Sequence, residues 1–355
     1  MNYESIKLDK SMYKGREGFS GRLEELDPSA AYKGTALEGL DAFQRQLRRF
    51  DIRVGGPQSS AIQKFFATAD SAALFPEYVS RAVRQGMEEG ETLAQLLASR
   101  TLIDSMDYRT IGLSQPAVGM ELAAVKEGAA IPATEIKLKE TLVKLKKRGR
   151  MISASYEAIR FQRLDLFTVA LRQIGACIAR SQLEDAVDTL INGDGTEGSG
   201  AETLETAGAE LAYSDLVKLW QKFDSYRMDR LLASPDMAAA ILNLSQMSSP
   251  AAGLNFQATG KLGTPLGAVL LKSSAVPSGT VIALDSSCAL EMAVASEVSV
   301  DYDRLIDCQL ERAAVTSIAG FARLFPDSVK VLTLKKASSG GSTGTGGNSG
   351  TESQG

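Results

Sequence analysis

The sequence predicts an α+β fold, and three features of the chain lead to that prediction. One helical pattern, at residues 164–191, is much longer than any other. An extended pattern with a period of two precedes it, and short strand and helix patterns alternate after it. At 355 residues and 44% hydrophobic content, the chain can bury the cores of two modest domains or of one elaborate domain.

Residues 1–60 are mixed and polar, with scattered glycines and prolines, which predicts an arm rather than a domain. Within this arm an apolar stripe at helical spacing predicts one short amphipathic helix. The stripe consists of Leu40, Phe43, Leu47 and Phe50, flanked by Arg45, Arg48 and Arg49. A helix this short cannot bury its stripe alone, so we expect the stripe to form an interface with another surface.

Residues 118–150 predict a long two-stranded hairpin, which follows helix and loop patterns from Phe65 to Leu97 and a strand-like stretch at 101–115. Its tip is a Gly, Ala and Pro stretch at 128–132, and its second strand alternates apolar and lysine residues from 136 onward. Two strands with little core of their own are marginal in water. We therefore expect sister copies of the chain to bury this hairpin.

A dense basic cluster ends the hairpin, and three further lysines lie within it. The cluster is Lys144, Lys146, Lys147, Arg148 and Arg150, and the further lysines are Lys126, Lys137 and Lys139. Clustered cations suffice for a phosphate contact, so nucleic-acid binding stays open. The cluster has no interleaved aromatic residues, which favours solvent-facing or inter-subunit salt bridges, with Glu135, Glu140 or a neighbour's carboxylates as partners.

The long helix at 164–191 is expected to lie in the core, with Asp165 or a nearby residue as its cap and Asn192-Gly193 as its stop. Near its end, Glu184, Asp185 and Asp188 predict a solvated face. The glycines at 193, 195 and 198 match a dinucleotide-binding spacing, but they follow a helix instead of a strand. The calcium-loop spacing that begins at Asn192 also fails, because Glu197 and Thr203 occupy its glycine and glutamate positions.

The rest of the chain predicts alternating helices and short strands. A helix capped by Ser214, a strand at 230–233, a helix from Pro235, and strands at 268–271, 280–284, 289–295 and 298–302 are expected in that order. Two further strand patterns occupy 313–323 and 329–334. The Ser/Gly-rich tail at 337–355 is predicted to be disordered.

Composition argues against most kinds of catalytic site. The chain has no histidine, so the commonest general base and metal ligand is missing, and we expect no cofactor, metal or catalytic residue. Cys177, Cys288 and Cys308 are widely spaced among apolar residues, which is typical of reduced packing residues. A net charge of −4 gives no bulk attraction to nucleic acid or to anionic membranes. The start of the chain lacks a signal-peptide pattern, and we expect a soluble, cytoplasmic origin and no membrane partner.

Four stretches, in this order along the chain, resemble the Hong Kong 97-like family of tailed-phage capsid subunits. They are Arg148–Glu157, Leu190–Thr196, Leu231–Asp236 with Gly263–Leu266, and Val315–Leu334. The resemblance implies a peripheral domain at 61–117 and 151–200 with a spine helix at 164–191, a protruding E-loop hairpin at 118–150, and an axial domain at 201–310. It also implies peripheral strands that return at 311–336, and it makes residues 1–60 an N-terminal arm.

The same resemblance implies a structural major capsid protein that is not an enzyme. Copies would assemble through hexamers and pentamers into an icosahedral head around double-stranded DNA, with scaffolding, portal and decoration proteins as partners. The protein would be part of the virion and would assemble in the bacterial cytoplasm. Two alternatives stay open: an encapsulin-like nanocompartment shell, and a small α/β enzyme with a carboxylate-based site. Some family members cross-link a hairpin lysine to an asparagine, but no residue pattern here identifies that asparagine.

Overall fold

The structure is a computed structural model that describes residues 3–14, 18–88, 92–113, 124–125, 127, 136–193, 200–248, 266–305 and 307–335. The predicted hairpin tip, Lys126, Glu135 and the tail at 337–355 lie outside these ranges. Within them, no helix is long and apolar enough to cross a bilayer.

Helices and strands alternate along the described chain. The helices are α1 (Gly18–Leu26), α2 (Ala42–Arg49), α3 (Ala69–Ala72), α4 (Phe75–Glu88), α5 (Tyr156–Phe161), α6 (Leu164–Asn192), α7 (Tyr213–Gln221), α8 (Pro235–Asn243) and α9 (Ser245–Ser248). The strands are β1 (Leu97–Leu102), β2 (Ile111–Leu113), β3 (Ile136–Leu138), β4 (Lys146–Ser155), β5 (Glu202–Glu205), β6 (Arg230–Ala233), β7 (Val269–Lys272), β8 (Thr280–Leu284), β9 (Leu290–Leu305), β10 (Leu310–Arg323) and β11 (Val329–Thr333).

A four-stranded sheet in the order β1-β9-β10-β4 forms one half of the molecule, and α4 and α6 pack against it. β1 runs parallel to β9, whereas β9, β10 and β4 are antiparallel. The two helices cross at Gly86 and Gly175. A Cβ atom built on Gly175 would lie 2.0 Å from the carbonyl oxygen of Val83, and one on Gly86 would lie 2.0 Å from that of Arg172. Only glycine permits this approach.

A five-stranded sheet in the order β5-β11-β8-β6-β7 forms the other half. Its strand β8 is buried along its whole length, because both of its faces are covered. Val281 and Ala283 face the cluster that contains α7 and α8, whereas Ile282 and Leu284 pack with the C-terminal half of α6. The long helix therefore joins the two halves of the molecule.

The long helix and the buried strands agree with the sequence prediction. The helix spans Leu164–Asn192 and stops at Gly193, whose φ of 78° favours glycine. The predicted cap is wrong, because the residue before the helix is Arg163 and its side chain makes no capping hydrogen bond. β6 and β8 have the predicted bounds, and the two patterns between 289 and 302 form the single strand β9.

The predicted boundary at residue 310 does not follow the sheets. β9 was expected in the axial domain, but it pairs with β10 along the four-stranded sheet. β11 was expected among the returning peripheral strands, but it lies between β5 and β8 in the five-stranded sheet. Strand patterns give the positions of strands and do not give their partners, which is why the two assignments were wrong.

The N-terminal segment is not an extended arm. Phe43 and Leu47 of α2 are buried in the same hydrophobic cluster as Phe19 of α1 and Val79 of α4. Phe50 packs against that cluster and Leu40 is half-buried. The expectation that this stripe needs another subunit is wrong, because the chain folds α1 and α2 back onto its own helix α4.

Candidate assembly surfaces

Apolar side chains around the hairpin are left uncovered by the chain itself. We call the following six residues the hairpin surface: Leu102, Met106, Ile111, Ile136, Leu138 and Leu142, each between 43% and 70% exposed. Ile111 pairs with Leu138 across the β2–β3 ladder, so their side chains share one face with Ile136. A hairpin of two strands has no second layer of its own to cover that face.

The base of the hairpin is fixed to the four-stranded sheet through Glu291 of β9. This buried carboxylate accepts hydrogen bonds from Tyr108 at 2.7 Å, from Thr101 at 2.6 Å, and from the hydroxyl of Thr110. Burial, together with the hydrogen bond to Glu291, raises the pKa of Tyr108. Lys139 adds a bond of 2.6 Å from its Nζ to the carbonyl oxygen of Arg323. The anchored base holds β2 and β3 in place although they bury little surface.

Two residues of the basic cluster join β4 to the long helix. Lys146 and Arg148 alternate along β4, so both side chains point to the same face, where their nitrogens lie 2.7 and 2.6 Å from Asp185 Oδ1. The hydrogen bond to Asp185 raises the pKa of Arg148. The predicted solvated face of the helix is therefore wrong for Asp185, which is buried.

The remaining hairpin cations have different surroundings. Lys144, Lys147 and Arg150 are exposed and form no ion pair with any residue that the structure describes. Lys137 is exposed on β3. Solvent-facing or inter-subunit salt bridges stay a prediction for Lys144, Lys147 and Arg150. Lys146 and Arg148 pair instead with Asp185 of the same chain, a buried partner that lies far along the sequence.

A second apolar surface lies where α5 meets α6, and sequence reasoning missed it. Phe161, Leu166 and Val169 are between 62% and 76% exposed, and we call them the helix surface. Leu166 and Val169 are three residues apart and share one face of α6, opposite the buried Leu164 and Leu171. A signal was present in the sequence, because the first turns of this helix are apolar around most of their circumference.

Among the described residues, no group of three or more Asp, Glu or Cys side chains is arranged to hold a metal ion. Of the glycines at 193, 195 and 198, only Gly193 is among the described residues.

Comparison with known proteins gives one family. The sequence model of the phage capsid protein family matches residues 138–307, slightly under half of the chain. These residues include β4 with its basic cluster, the long helix and all of β9. No curated protein sequence matches the chain.

Several solved structures share the fold at low sequence identity. The virus-like particle from Pyrococcus furiosus has a TM-score of 0.50 and 15% identity, over 73% of this chain and 99% of its own. The capsid of a native GTA particle has a TM-score of 0.51 and 16% identity, over 69% and 90%. A structure from Gordonia phage Cozz has a TM-score of 0.50 and 15% identity, over 69% and 86%.

The family match and the shared fold agree with each other and with the four sequence stretches that suggested them. The chain has the Hong Kong 97-like fold that it shares with these solved structures, and its residues 138–307 are similar to the phage capsid protein family.

Proposed function

We propose that this chain is the major capsid protein of a tailed phage. Its copies assemble through hexamers and pentamers into a closed icosahedral shell around double-stranded DNA, and the chain itself catalyses no reaction. The single observation that carries this proposal is the hairpin surface. Six large apolar side chains stay uncovered around a hairpin whose base is firmly anchored.

The free energy gained by burying the hairpin surface is large enough to support assembly. Burying one Ile or Leu side chain contributes about 1.5–3 kcal/mol, so covering Ile136 and Leu138 alone contributes several kcal/mol at each contact. The hairpin surface differs from the helix surface, so a contact between one and the other joins different patches on neighbouring copies. Such head-to-tail contacts close into rings when the rotation permits. We infer that the hairpin of one subunit covers the helix surface of the next.

The proposed relation to DNA is containment. The chain has a net charge of −4, and three cations of the basic cluster, Lys144, Lys147 and Arg150, are exposed and form no ion pair with a residue that the structure describes. That number suits scattered phosphate contacts without sequence preference. Scaffolding, portal and decoration proteins are the expected partners, the virion is the expected location, and assembly is expected in the bacterial cytoplasm.

Electron microscopy of the purified protein tests the proposal. We expect closed particles tens of nanometres wide, as for a shell that is built from many subunits. A uniform population of small monomers or dimers at high protein concentration would contradict the proposal and would favour the enzyme alternative.

Particles from the native source separate the phage head from a nanocompartment. We expect double-stranded DNA that nuclease digests only after the particles are opened. Particles that hold protein cargo and no nucleic acid would support the encapsulin-like alternative instead.

A further inference from the structure

Residues 3–14 and 18–60 form a layer over helix α4, which we call the N-terminal layer. Arg81 of α4 lies at the centre of the contact. Its guanidinium donates to Asp41 at 2.6 Å and to the hydroxyl of Ser20 at 2.6 Å, both in the N-terminal layer, and to Glu77 at 2.9 Å. Ser20 in turn donates to Glu77 at 2.6 Å. These bonds tie both helices of the layer to α4.

The start of α4 depends on Tyr13 of the layer. The Tyr13 hydroxyl accepts a hydrogen bond from the backbone N–H of Glu77 at 3.0 Å and donates to the carbonyl oxygen of Ala73 at 2.8 Å. The first N–H groups of a helix have no partner within the helix, so Tyr13 satisfies one of them. Burial raises the pKa of Tyr13, and its ring stacks on Phe19 at 4.5 Å.

The interior of the layer is held by a buried ion pair. Arg45 of α2 is 0% exposed, and its Nε lies 2.6 Å from Asp27. Its other nitrogens donate to the carbonyl oxygens of Asp27 and Leu40, and its guanidinium lies 4.3 Å from the Tyr32 ring centroid. A charge this deeply buried requires all of its partners, because an unpaired buried ion is costly. The layer therefore forms as a whole.

The layer also covers one end of the four-stranded sheet. The ammonium of Lys10 lies 5.7 Å from the Tyr302 ring centroid. Glu311 of β10 is buried, which raises its pKa, and Lys10 acts in the opposite direction. Removing the layer would leave this buried carboxyl without its nearby cation.

We propose that the N-terminal layer is a permanent part of the subunit, retained uncut in the finished shell and not exchanged between subunits. Detaching it would expose Phe19, Leu23, Phe43 and Leu47 together. The free energy that this apolar burial contributes is comparable with the whole free energy of unfolding of a domain. Detaching the layer would also break the hydrogen bonds of Arg81 to Asp41 and Ser20, so that only its bond to Glu77 would remain of these three. Retention in the shell rests on the proposed function, whereas permanence in the subunit does not.

A designed cut tests permanence. The segment from Lys33 to Gly39 is exposed except for the half-buried Leu37, and it separates α1 from α2. A recognition sequence for a specific protease placed there allows cleavage of both free subunits and assembled particles. We expect both fragments to stay together through gel filtration after cleavage and to separate only in denaturant. The uncut variant is the matched control for folding and assembly.

Two outcomes would overturn the proposal. One is release of the N-terminal fragment from cut subunits or particles without denaturant, with the remainder still folded. The other is an intact mass of subunits from native particles that lacks the layer, whereas we expect a mass that includes residues 3–60. If the uncut protein forms no particles, the proposed shell function fails, but cleavage of the free subunit still tests permanence.

Discussion

The N-terminal layer and the hairpin look alike in the sequence, yet they fold in opposite ways. Each contains apolar side chains at regular spacing that we expected a neighbouring subunit to cover. The layer places Phe43 and Leu47 in the chain's own core, whereas the hairpin leaves Ile136 and Leu138 in solvent. The difference is the number of packing layers. Two helices pack on each other and on α4, whereas the described strands β2 and β3 leave Ile111, Ile136 and Leu138 exposed.

The comparison teaches that an apolar stripe alone does not identify an assembly surface. The layer also contains buried polar groups with partners, above all Arg45 with Asp27, and such groups indicate a fixed intrachain fold. The hairpin has its polar anchors at the base, around Glu291, and the strands beyond that base expose apolar side chains. An anchored base combined with an uncovered apolar end is the arrangement that a partner subunit completes.

The largest expected effect comes from charging the hairpin. In the double variant Ile136→Glu and Leu138→Glu, we expect the particle yield to fall at least about tenfold. Each lost apolar contact costs about 1.5–3 kcal/mol at every interface. The free energy of unfolding of the subunit should change by less than about 0.5 kcal/mol, as is usual for surface positions. Electron microscopy and urea unfolding measure the two quantities.

Glu140→Gln, at an exposed position near β3, is the control for the charged hairpin and should assemble normally. Normal particle yield from the doubly charged variant would show that the hairpin surface is not an interface.

The second effect concerns the layer. Arg45→Met should destabilise the subunit by about 3–5 kcal/mol, because it leaves the Asp27 carboxylate buried without its cation. Urea unfolding of the free subunit measures the loss. The double variant with Asp27→Leu removes both charges and should recover part of that loss. A loss below about 1 kcal/mol would mean that the layer is only loosely held, and the contrast with the hairpin would disappear.

A third effect is expected where α4 crosses α6, beneath the N-terminal layer. Gly175→Ala should destabilise the subunit by about 2 kcal/mol, because overpacking at the Val83 carbonyl outweighs the gain in helix propensity of about 1 kcal/mol. Ala170→Gly, at an exposed position of the same helix, is the control and should cost only about 1 kcal/mol. A stabilising Gly175→Ala would show that the helices cross less closely than described.

The smallest expected effect comes from substituting Asp236 of α8, which belongs to the five-stranded half and not to the N-terminal layer or the hairpin. Hydrogen bonds from Ser234, the Gly279 N–H and Ser278 lower the pKa of Asp236 to about 2. A lowered folded-state pKa gives stability that is present above the unfolded value near 3.8 and lost as the pH falls toward 2. Asp236→Asn should therefore cost less than about 1 kcal/mol at pH 6, because the group is exposed, and the cost should disappear as the pH falls through about 2. A cost that is equal at both pH values would contradict this assignment.

The sequence predicted the elements whose pattern is local. The spacing of Leu171 and Ile178 identifies the long helix, and the continuous apolar run of 280–284 identifies a strand that is buried on both faces. Contacts between distant residues left no local signal. Neither the pairing of Lys146 with Asp185 nor the approach of Gly175 to Val83 follows from spacing, because each joins elements far apart in the chain.

The candidate surfaces were predicted in part for the same reason. The alternation at 136–138 indicated a hairpin strand with little core of its own. The helix surface at Phe161 was missed, although the first turns of α6 are apolar around most of their circumference. The stripe of α2 was misassigned because its cover, α1 and α4, comes from two other segments of the chain.

Hydrogen exchange of backbone amides, compared between assembled particles and subunits dissociated from them, tests most directly whether sister copies cover the hairpin. We predict that the amides of residues 136–142 become strongly protected on assembly, while those of α1 and α2 are equally protected in both states. Hairpin amides that exchange equally fast in particles and in free subunits would contradict the account, and so would a layer that gains its protection only on assembly.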